Sequence, residues 1–187
     1  MFIQTEQTPN PQTLKFLPGR VVMKEGTAFF KNIDEASNSF FAKRLFSLEG
    51  VDGVFFGSDF ITITKVQNTD WQVMKPIILG AIMDHFNSGN ETIEVVQVKK
   101  ADTSKEDSAD SDIDKQIKEL LDTRVRPAVA MDGGDIIYQS FKDGVVHLHM
   151  QGACSGCPSS TATLKMGIEN MLKHYVPEVK EVRAVDA

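Results

Sequence analysis

The spacing of apolar residues predicts a mixture of strands and helices in the first hundred residues. Runs rich in β-branched and aromatic residues at 2–5, 13–17 and 21–23 are separated by the turn signals Pro9-Asn10-Pro11 and Pro18-Gly19, and therefore predict strands. The elements predicted after them are a helix over 37–48, a hairpin of strands 51–56 and 60–65, a helix over 71–87 capped by Asp70, and a strand over 93–98.

The apolar pattern in the last third of the chain predicts the order α-β-β-α-β. Helical spacing begins at Ile113, and Pro127 is expected to bend or shorten the last turns of this helix. Alternating residues at 136–141 and 145–150 predict a hairpin, and a second helical stripe ends before Pro177. With a last strand over 179–185, this order is typical of a two-layer α+β domain.

An acidic segment separates the two parts. Residues 101–112 contain five acids, one base and no large apolar residue, so they cannot bury enough surface to offset the entropy of ordering. We therefore predict two small two-layer α+β domains, at 1–100 and 113–187, joined by a flexible acidic linker at 101–112.

Charge and composition exclude several classes of partner. The chain of 187 residues carries a net charge of −6, whereas nucleic acids and anionic membranes attract basic surfaces. No apolar run reaches the length needed to span a membrane, and the N-terminus shows no pattern of a secretory or transit signal. The two cysteines are three positions apart and make no disulfide framework, which favours a reducing interior compartment.

The candidate chemistry lies in the segment Cys154-Ser155-Gly156-Cys157-Pro158, which holds both cysteines and joins the predicted hairpin to the predicted helix. Pro158 is suited to the first helical position, and Gly156 lets the backbone approach a bulky ligand. The unpaired N–H groups of a helix N-terminus favour negative charge, so we expect lowered thiol pKa values and thiolates that can bind metal.

Three chemistries can use such a pair. In a dithiol oxidoreductase, one thiolate attacks a disulfide and the other resolves it, although that motif belongs near a βαβ unit and a hairpin precedes it here. In a zinc site, His147 and His149 would complete four ligands with Cys154 and Cys157. However, the alternation with Val146, Leu148 and Met150 indicates that both histidines lie on the solvent side of their strand.

The third chemistry is an iron–sulfur cluster shared between two chains. A [4Fe–4S] cluster takes four thiolates, and one chain supplies two. A symmetric pair of identical loops brings four thiolates to one point. A cluster held at a small two-fold interface is accessible and separable, which suits its transfer to other proteins.

Longer motifs resemble a known family. The motifs in the last third of the chain are Arg126-Pro127, Asp132-Gly133-Gly134-Asp135 and Gly152-Ala153-Cys154-Ser155-Gly156-Cys157-Pro158-Ser159-Ser160. Through these motifs, residues 113–185 resemble the NifU C-terminal domain. The motifs in the first part are Phe2-Ile3-Gln4-Thr5, Thr8-Pro9-Asn10-Pro11, Leu14-Lys15-Phe16 and Phe55-Phe56-Gly57-Ser58-Asp59-Phe60-Ile61-Thr62. Through these motifs, residues 2–98 resemble the N-terminal domain of Nfu-type iron–sulfur proteins.

The resemblance implies a scaffold or carrier that is not an enzyme. It implies that Cys154 and Cys157 ligate a [4Fe–4S] cluster that bridges two subunits of a homodimer, received from upstream donors and passed to apo-proteins. The N-terminal domain is not a cluster site in this family, and we hypothesise that it docks clients. The implied compartment is the bacterial cytoplasm, or the mitochondrial matrix for a mature eukaryotic form.

The motif Asp132-Gly133-Gly134-Asp135 allows two interpretations. Its two carboxylates fall far short of a calcium-binding loop, so we expect a helix terminus and a tight turn in which glycine accepts a positive φ. The alternative is that the motif supports the cysteine segment or a partner.

Overall fold

The computed structural model describes residues 2–93, 112–156 and 158–185. The chain divides into two compact units, Met1–Val96 and Gln97–Ala187. The predicted linker 101–112 lies outside the described residues except for Asp112, which begins a helix, and the predicted strand 93–98 lies outside them except for Ile93.

The first unit is an antiparallel sheet with two helices, in the strand order β1-β2-β5-β4-β3. Its elements are β1 (Gln4–Gln7), β2 (Thr13–Leu17), β3 (Ala28–Phe30), a 3₁₀ turn (Glu35–Asn38), α1 (Phe40–Phe46), β4 (Val51–Phe56), β5 (Ile61–Lys65) and α2 (Trp71–Asn87).

Helix caps and a shared core hold the first unit together. Ser39 caps α1 by accepting from the Ala42 N–H, and Asp70 caps α2 by accepting from the Gln72 N–H, as predicted for Asp70. The helices and the sheet share one core, whose largest fully buried side chains include Phe16, Phe41, Leu45, Phe56, Ile61, Ile63, Ile78 and Ile82.

The third predicted strand is wrong. At 21–23 the backbone makes no strand, because the N–H groups of Val22 and Met23 both donate to the Ser58 carbonyl, at 2.8 and 3.2 Å. The strand in this part of the sheet is β3, which pairs with β4 through Phe30↔Val54. Tertiary pairing therefore overrides the local β-propensity of the 21–23 run.

The second unit has the predicted order α-β-β-α-β, which confirms the α+β fold. Its elements are α3 (Asp112–Leu120), a π turn (Leu121–Val125), α4 (Arg126–Met131), β6 (Gly134–Lys142), β7 (Val145–Gly152), α5 (Pro158–Tyr175) and β8 (Glu181–Val185). The sheet order is β6-β7-β8. β6 and β7 pair antiparallel, and β8 pairs parallel to β7 after the α5 crossover.

Pro127 does not shorten the helical run, although the sequence predicts that it bends or shortens the last turns. The π turn at Leu121–Val125 immediately precedes α4, which continues through Pro127 to Met131. Proline has no N–H to donate and clashes with the carbonyl four residues earlier, and a π turn at that point relaxes the regular helical spacing.

One face of the second sheet packs on the helices. Its core contains Ile117, Leu121, Val125, Val129, Ile136, Val146, Leu148, Met150, Cys154, Ile168, Leu172, Val176, Val179 and Val182. Among the described residues, none of the helices combines the length and the apolar character needed to cross a membrane.

Candidate metal-binding site

The segment 153–157, called the cysteine loop below, joins β7 to α5. Its described part is held by backbone bonds: the Cys154 N–H donates to the Gln151 carbonyl at 3.3 Å, and the Ser155 N–H donates to the Gly152 carbonyl at 3.1 Å. The Thr161 hydroxyl, in the first turns of α5, donates to the Cys154 carbonyl at 3.0 Å. The loop is therefore fixed both by the strand before it and by the helix after it.

The predicted ligand pair is described only in part. Cys157 lies outside the described residues, so its role as a ligand stays a prediction. The helix after the loop begins at Pro158, as the sequence predicts.

The side chain of Cys154 packs in the core of the second unit and is only 5% exposed. Burial, and to a lesser extent the charges of Asp132 and Asp135, raise the pKa of this thiol to about 12. The expectation of a lowered thiol pKa is therefore wrong for Cys154 in this conformation. The physical reason is that loss of hydration disfavours the thiolate of a sulfur that packs among apolar side chains.

Gly134 leaves the space that the Cys154 sulfur occupies. A Cβ at position 134 would lie 2.4 Å from Cys154 Sγ and 2.7 Å from the Gln151 carbonyl oxygen, closer than such atoms approach in proteins. The neighbouring Gly133 has φ 85°, and its carbonyl accepts from the Ala153 N–H at 3.1 Å. The two glycines therefore make the expected tight turn and also form the base of the cysteine loop.

Asp135 ties this base to α4. The Arg126 guanidinium donates from Nε to Asp135 Oδ1 and from Nη2 to Oδ2, both at 2.8 Å, and from Nη1 to Asp122 at 3.1 Å. Asp135 is buried, and its Oδ1 also accepts from the Ile136 N–H at 2.8 Å. The hydrogen bond to Asp135 is the largest of the influences that raise the pKa of Arg126.

The two histidines do not join Cys154. Leu148 and Met150 pack in the core with Cys154, so the alternation of the strand places His147 and His149 on the opposite face of the sheet. Nδ1 of His147 lies 3.3 Å from the Ser140 hydroxyl oxygen.

His149 is buried, rather than on the solvent side as expected, and its Nδ1 lies 3.1 Å from the Val185 carbonyl oxygen. Within 2–93, 112–156 and 158–185, no cluster of three or more His, Cys, Asp or Glu side chains is arranged to hold a metal ion. The zinc site has no support in the described residues.

Comparison with known proteins places the chain in a family. The family model "Scaffold protein Nfu/NifU N terminal" matches residues 3–89, and the model "NifU-like domain" matches residues 117–183. NifU-like protein 5, mitochondrial, of Arabidopsis thaliana is 51% identical over 184 residues, which cover 97% of this chain and 67% of that protein. The chain belongs to the Nfu family of NifU-like proteins.

Two further relatives of this Nfu-family chain have a similar extent. NifU-like protein 4, mitochondrial, of Arabidopsis thaliana is 53% identical over 184 residues, covering 97% of this chain and 65% of that protein. The NFU1 iron-sulfur cluster scaffold homolog, mitochondrial, of Drosophila sechellia is 51% identical over 186 residues, covering 99% of this chain and 65% of that protein. The Nfu-family chain thus spans slightly less than two thirds of the length of these two relatives.

Sequence reasoning about this Nfu-family site found the cysteine loop but gave no role to Arg126. The signal that could have found it is the i, i+4 spacing of Asp122 and Arg126 in the helical run before the glycine pair, which predicts an ion pair there. The bidentate bond to Asp135 was not accessible to such reasoning, because it joins a helix to a strand.

Proposed function

We propose that this chain is a non-catalytic iron–sulfur cluster scaffold or carrier. It holds a [4Fe–4S] cluster as its cargo through Cys154 and Cys157 and passes the cluster to apo-proteins. The observation that carries the proposal is that the only two cysteines of the sequence stand in one loop of the region that matches the NifU-like domain. The name of the Drosophila sechellia relative, an iron-sulfur cluster scaffold homolog, supports the same role.

The ligand count leads to a homodimer. A [4Fe–4S] cluster needs about four thiolates, and this chain has two cysteines. Two copies related by a two-fold axis supply identical loops to one cluster, which makes the interface self-complementary. The loaded protein is therefore a homodimer, and the cluster is shared between its subunits.

Loading requires the cysteine loop to turn Cys154 outward. Its sulfur packs in the core next to Gly134, where an iron atom has no access. Transfer then proceeds by ligand exchange, in which a client thiolate forms a bond to iron as the bond to Cys154 or Cys157 breaks. The released thiolate takes up a proton, and Cys154 can return to the buried position that it occupies in this structure.

The runner-up is an enzyme, a dithiol–disulfide oxidoreductase. Its attacking thiol must be accessible and ionised. Cys154 is neither in this conformation, because it is buried and burial raises its pKa to about 12. A carrier also needs the Cys154 thiolate, so the burial of Cys154 does not separate the two functions. The matches to both family models and the scaffold name of the Drosophila sechellia relative favour the carrier.

Anaerobic reconstitution with iron and sulfide tests the proposal. We expect a brown chromophore, about four irons per two chains, and a shift from monomer to dimer on size-exclusion chromatography. Cys154→Ser and Cys157→Ser should each abolish these changes, whereas Ser155→Ala, a matched change in the same loop, should preserve them. A colourless monomer that reduces disulfides would instead identify an oxidoreductase, and one zinc per chain would identify a zinc protein.

Partners and compartment follow from the same role. The proposed partners are upstream cluster donors and apo-proteins that accept a cluster. All three relatives carry "mitochondrial" in their names, in agreement with one of the two compartments expected from the sequence. We propose the mitochondrial matrix for a eukaryotic form and the cytoplasm for a bacterial one.

A further inference from the structure

A groove in the first unit lies between the end of α1 and the N-terminal half of α2. Its volume is about 410 Å³, within the range of ligand-binding clefts. Its floor is formed by Met74 and Ile78, which belong to the core, and its walls include Leu48, Val73 and Ile77. The groove is therefore an apolar cleft that is continuous with the core of the unit.

Two wall residues present apolar surface to solvent. Val73 is 66% exposed and Ile77 is 54% exposed, although both belong to a helix whose other face is buried. They are four positions apart and therefore neighbours on one stripe of α2. Contiguous exposed apolar side chains beside a cleft are typical of an interaction site rather than of a solvated helix face.

The shape of the groove is built into the fold. Gly50, just after α1, has φ 91°, in the left-handed region that favours glycine. A Cβ there would lie 2.7 Å from Thr69 Cγ2 and 3.2 Å from the Met74 sulfur. The chain at Gly50 therefore packs closely against Thr69 and Met74, which line the groove, so the cleft is preformed.

The rim of the groove is acidic. Glu49 and Asp70 line it, and within the described residues neither carboxylate forms an ion pair with a lysine or arginine. Asp70 accepts from the Gln72 N–H as the cap of α2, and its carboxylate stays on the rim of the groove. Apolar walls beneath two such carboxylates are complementary to a partner that carries both aliphatic and basic side chains.

We propose that this groove binds an amphipathic helix of a partner protein, with aliphatic side chains at i, i+3 or i+4 and with lysine or arginine beside them. A groove between α2 and the segment that follows α1 suits the helix-in-groove mode, in which aliphatic anchors enter the cleft and the flanks meet the rim. The interaction surface is separate from the cysteine chemistry, and the proposal does not depend on the cluster function.

The test uses the full chain and a fluorescent probe peptide of about 15 residues, with leucines on one helical face and lysines at the positions that flank this face. We expect saturable binding in fluorescence anisotropy, with amide shift changes confined to residues that line the groove. Val73→Gln should weaken binding at least about tenfold, because it removes an apolar anchor contact. Val21→Gln is the matched control, since Val21 is a valine of the same unit with 64% exposure, and it should leave binding unchanged.

Further measurements distinguish binding in the groove from general attraction of a basic peptide to an acidic chain. A scrambled peptide of the same composition, and a peptide with glutamate in place of lysine, should both bind at least about tenfold more weakly. Glu49→Gln should weaken binding of the lysine peptide, and Glu25→Gln should not. Equal binding of the scrambled peptide, no saturable binding, or self-association that Val73→Gln abolishes would each overturn the proposal. Cys154→Ser should bind the probe normally, so a failed cluster assay and a failed groove assay are distinguishable.

Discussion

At the scale of single residues, the contact between Gly134 and Cys154 controls the base of the cysteine loop. A β-carbon at position 134 would lie 2.4 Å from the Cys154 sulfur and 2.7 Å from the Gln151 carbonyl oxygen. The carbonyl belongs to the backbone and leaves little room for a shift. The absence of one side chain therefore allows the thiol to be buried.

Gly134→Ala should expel the Cys154 sulfur from its buried position and lower the stability of the second unit. Overpacking of this kind costs about 1–3 kcal/mol. The loss should be visible as faster amide hydrogen exchange in β6 and β7. Gly167→Ala is the matched control, because a Cβ at that position in α5 meets no atom within 4 Å. Equal exchange rates in the two variants would contradict the assigned role of Gly134.

His85 is a second residue with an unusual environment. It is 3% exposed, and its ring stacks on Phe41 with centroids 3.8 Å apart. Within the described residues, its Nε2 has no hydrogen-bond partner. Burial, and to a lesser extent the charge of Arg44, lower the pKa of His85 below its ordinary value of 6.5.

The first unit should therefore lose stability in mild acid. Below about pH 6.5 the unfolded chain binds a proton at His85 that the folded chain does not. The free energy of unfolding is highest above that pH and falls as pH decreases, by at most about 1.4 kcal/mol per pH unit from this group, until the folded-state pKa is reached. The free energy of unfolding is measured at each pH by urea unfolding, followed through the fluorescence of Trp71, the only tryptophan in the sequence.

His85→Phe is the control for this pH dependence, because phenylalanine can keep the stacking contact with Phe41. The variant should lose the contribution of His85 and show a flatter dependence between pH 7.5 and 5. The same slope in both proteins would mean that other groups cause the acid sensitivity.

At the scale of elements, the ion pair between Arg126 and Asp135 joins the end of the first helix of the second unit to the start of β6. The carboxylate is buried, and the guanidinium is partly exposed and also reaches Asp122. The pair is therefore asymmetric: its anionic member depends on the contact more than its cationic member does.

Arg126→Gln should destabilise the second unit more than Asp135→Asn does. Loss of the arginine leaves a buried carboxylate without its cation and should cost about 2–4 kcal/mol, reduced toward the lower value by the partial exposure of the arginine. After Asp135→Asn, Arg126 retains Asp122, and we expect a cost of about 1–2 kcal/mol. The loss of stability in each variant is measured from the decay of the β6 amide NMR signals as urea is added. The reverse order would contradict the burial of the Asp135 charge.

At the scale of the whole molecule, each unit has its own hydrophobic core. The core of the second unit consists of residues between Ile117 and Val182. Among the described residues, each core is made of side chains from its own unit. The second unit therefore contains what a domain needs to fold.

Removal of residues 1–100 should leave a folded protein that loads iron with unchanged stoichiometry. Transfer to an apo-ferredoxin should be slower if the first unit docks clients and raises their effective concentration near the cluster. Circular dichroism, iron content and the transfer rate check these three expectations. An unchanged transfer rate would contradict the docking role, and a loss of iron binding would contradict the placement of the site in the second unit alone.

Elements whose signals are local were predictable from sequence. The helix cap at Asp70, the hairpin at 51–65 and the start of α5 at Pro158 depend on residues within a few positions of each other. The strand β3 was missed, and a strand at 21–23 was predicted instead, because pairing with β4 was decided by contacts across more than twenty residues.

The sequence by itself determined the α+β order of the second unit, the family and the single cysteine pair, because periodicity, turn residues and motifs are properties of neighbouring positions. Only the tertiary structure decided that Cys154 is buried against Gly134, that its pKa is raised, and that Arg126 holds Asp135. Hydration and charge pairing depend on which distant residues meet. The same thiol that the local pattern predicts as a thiolate at a helix N-terminus is therefore a buried core side chain with a raised pKa.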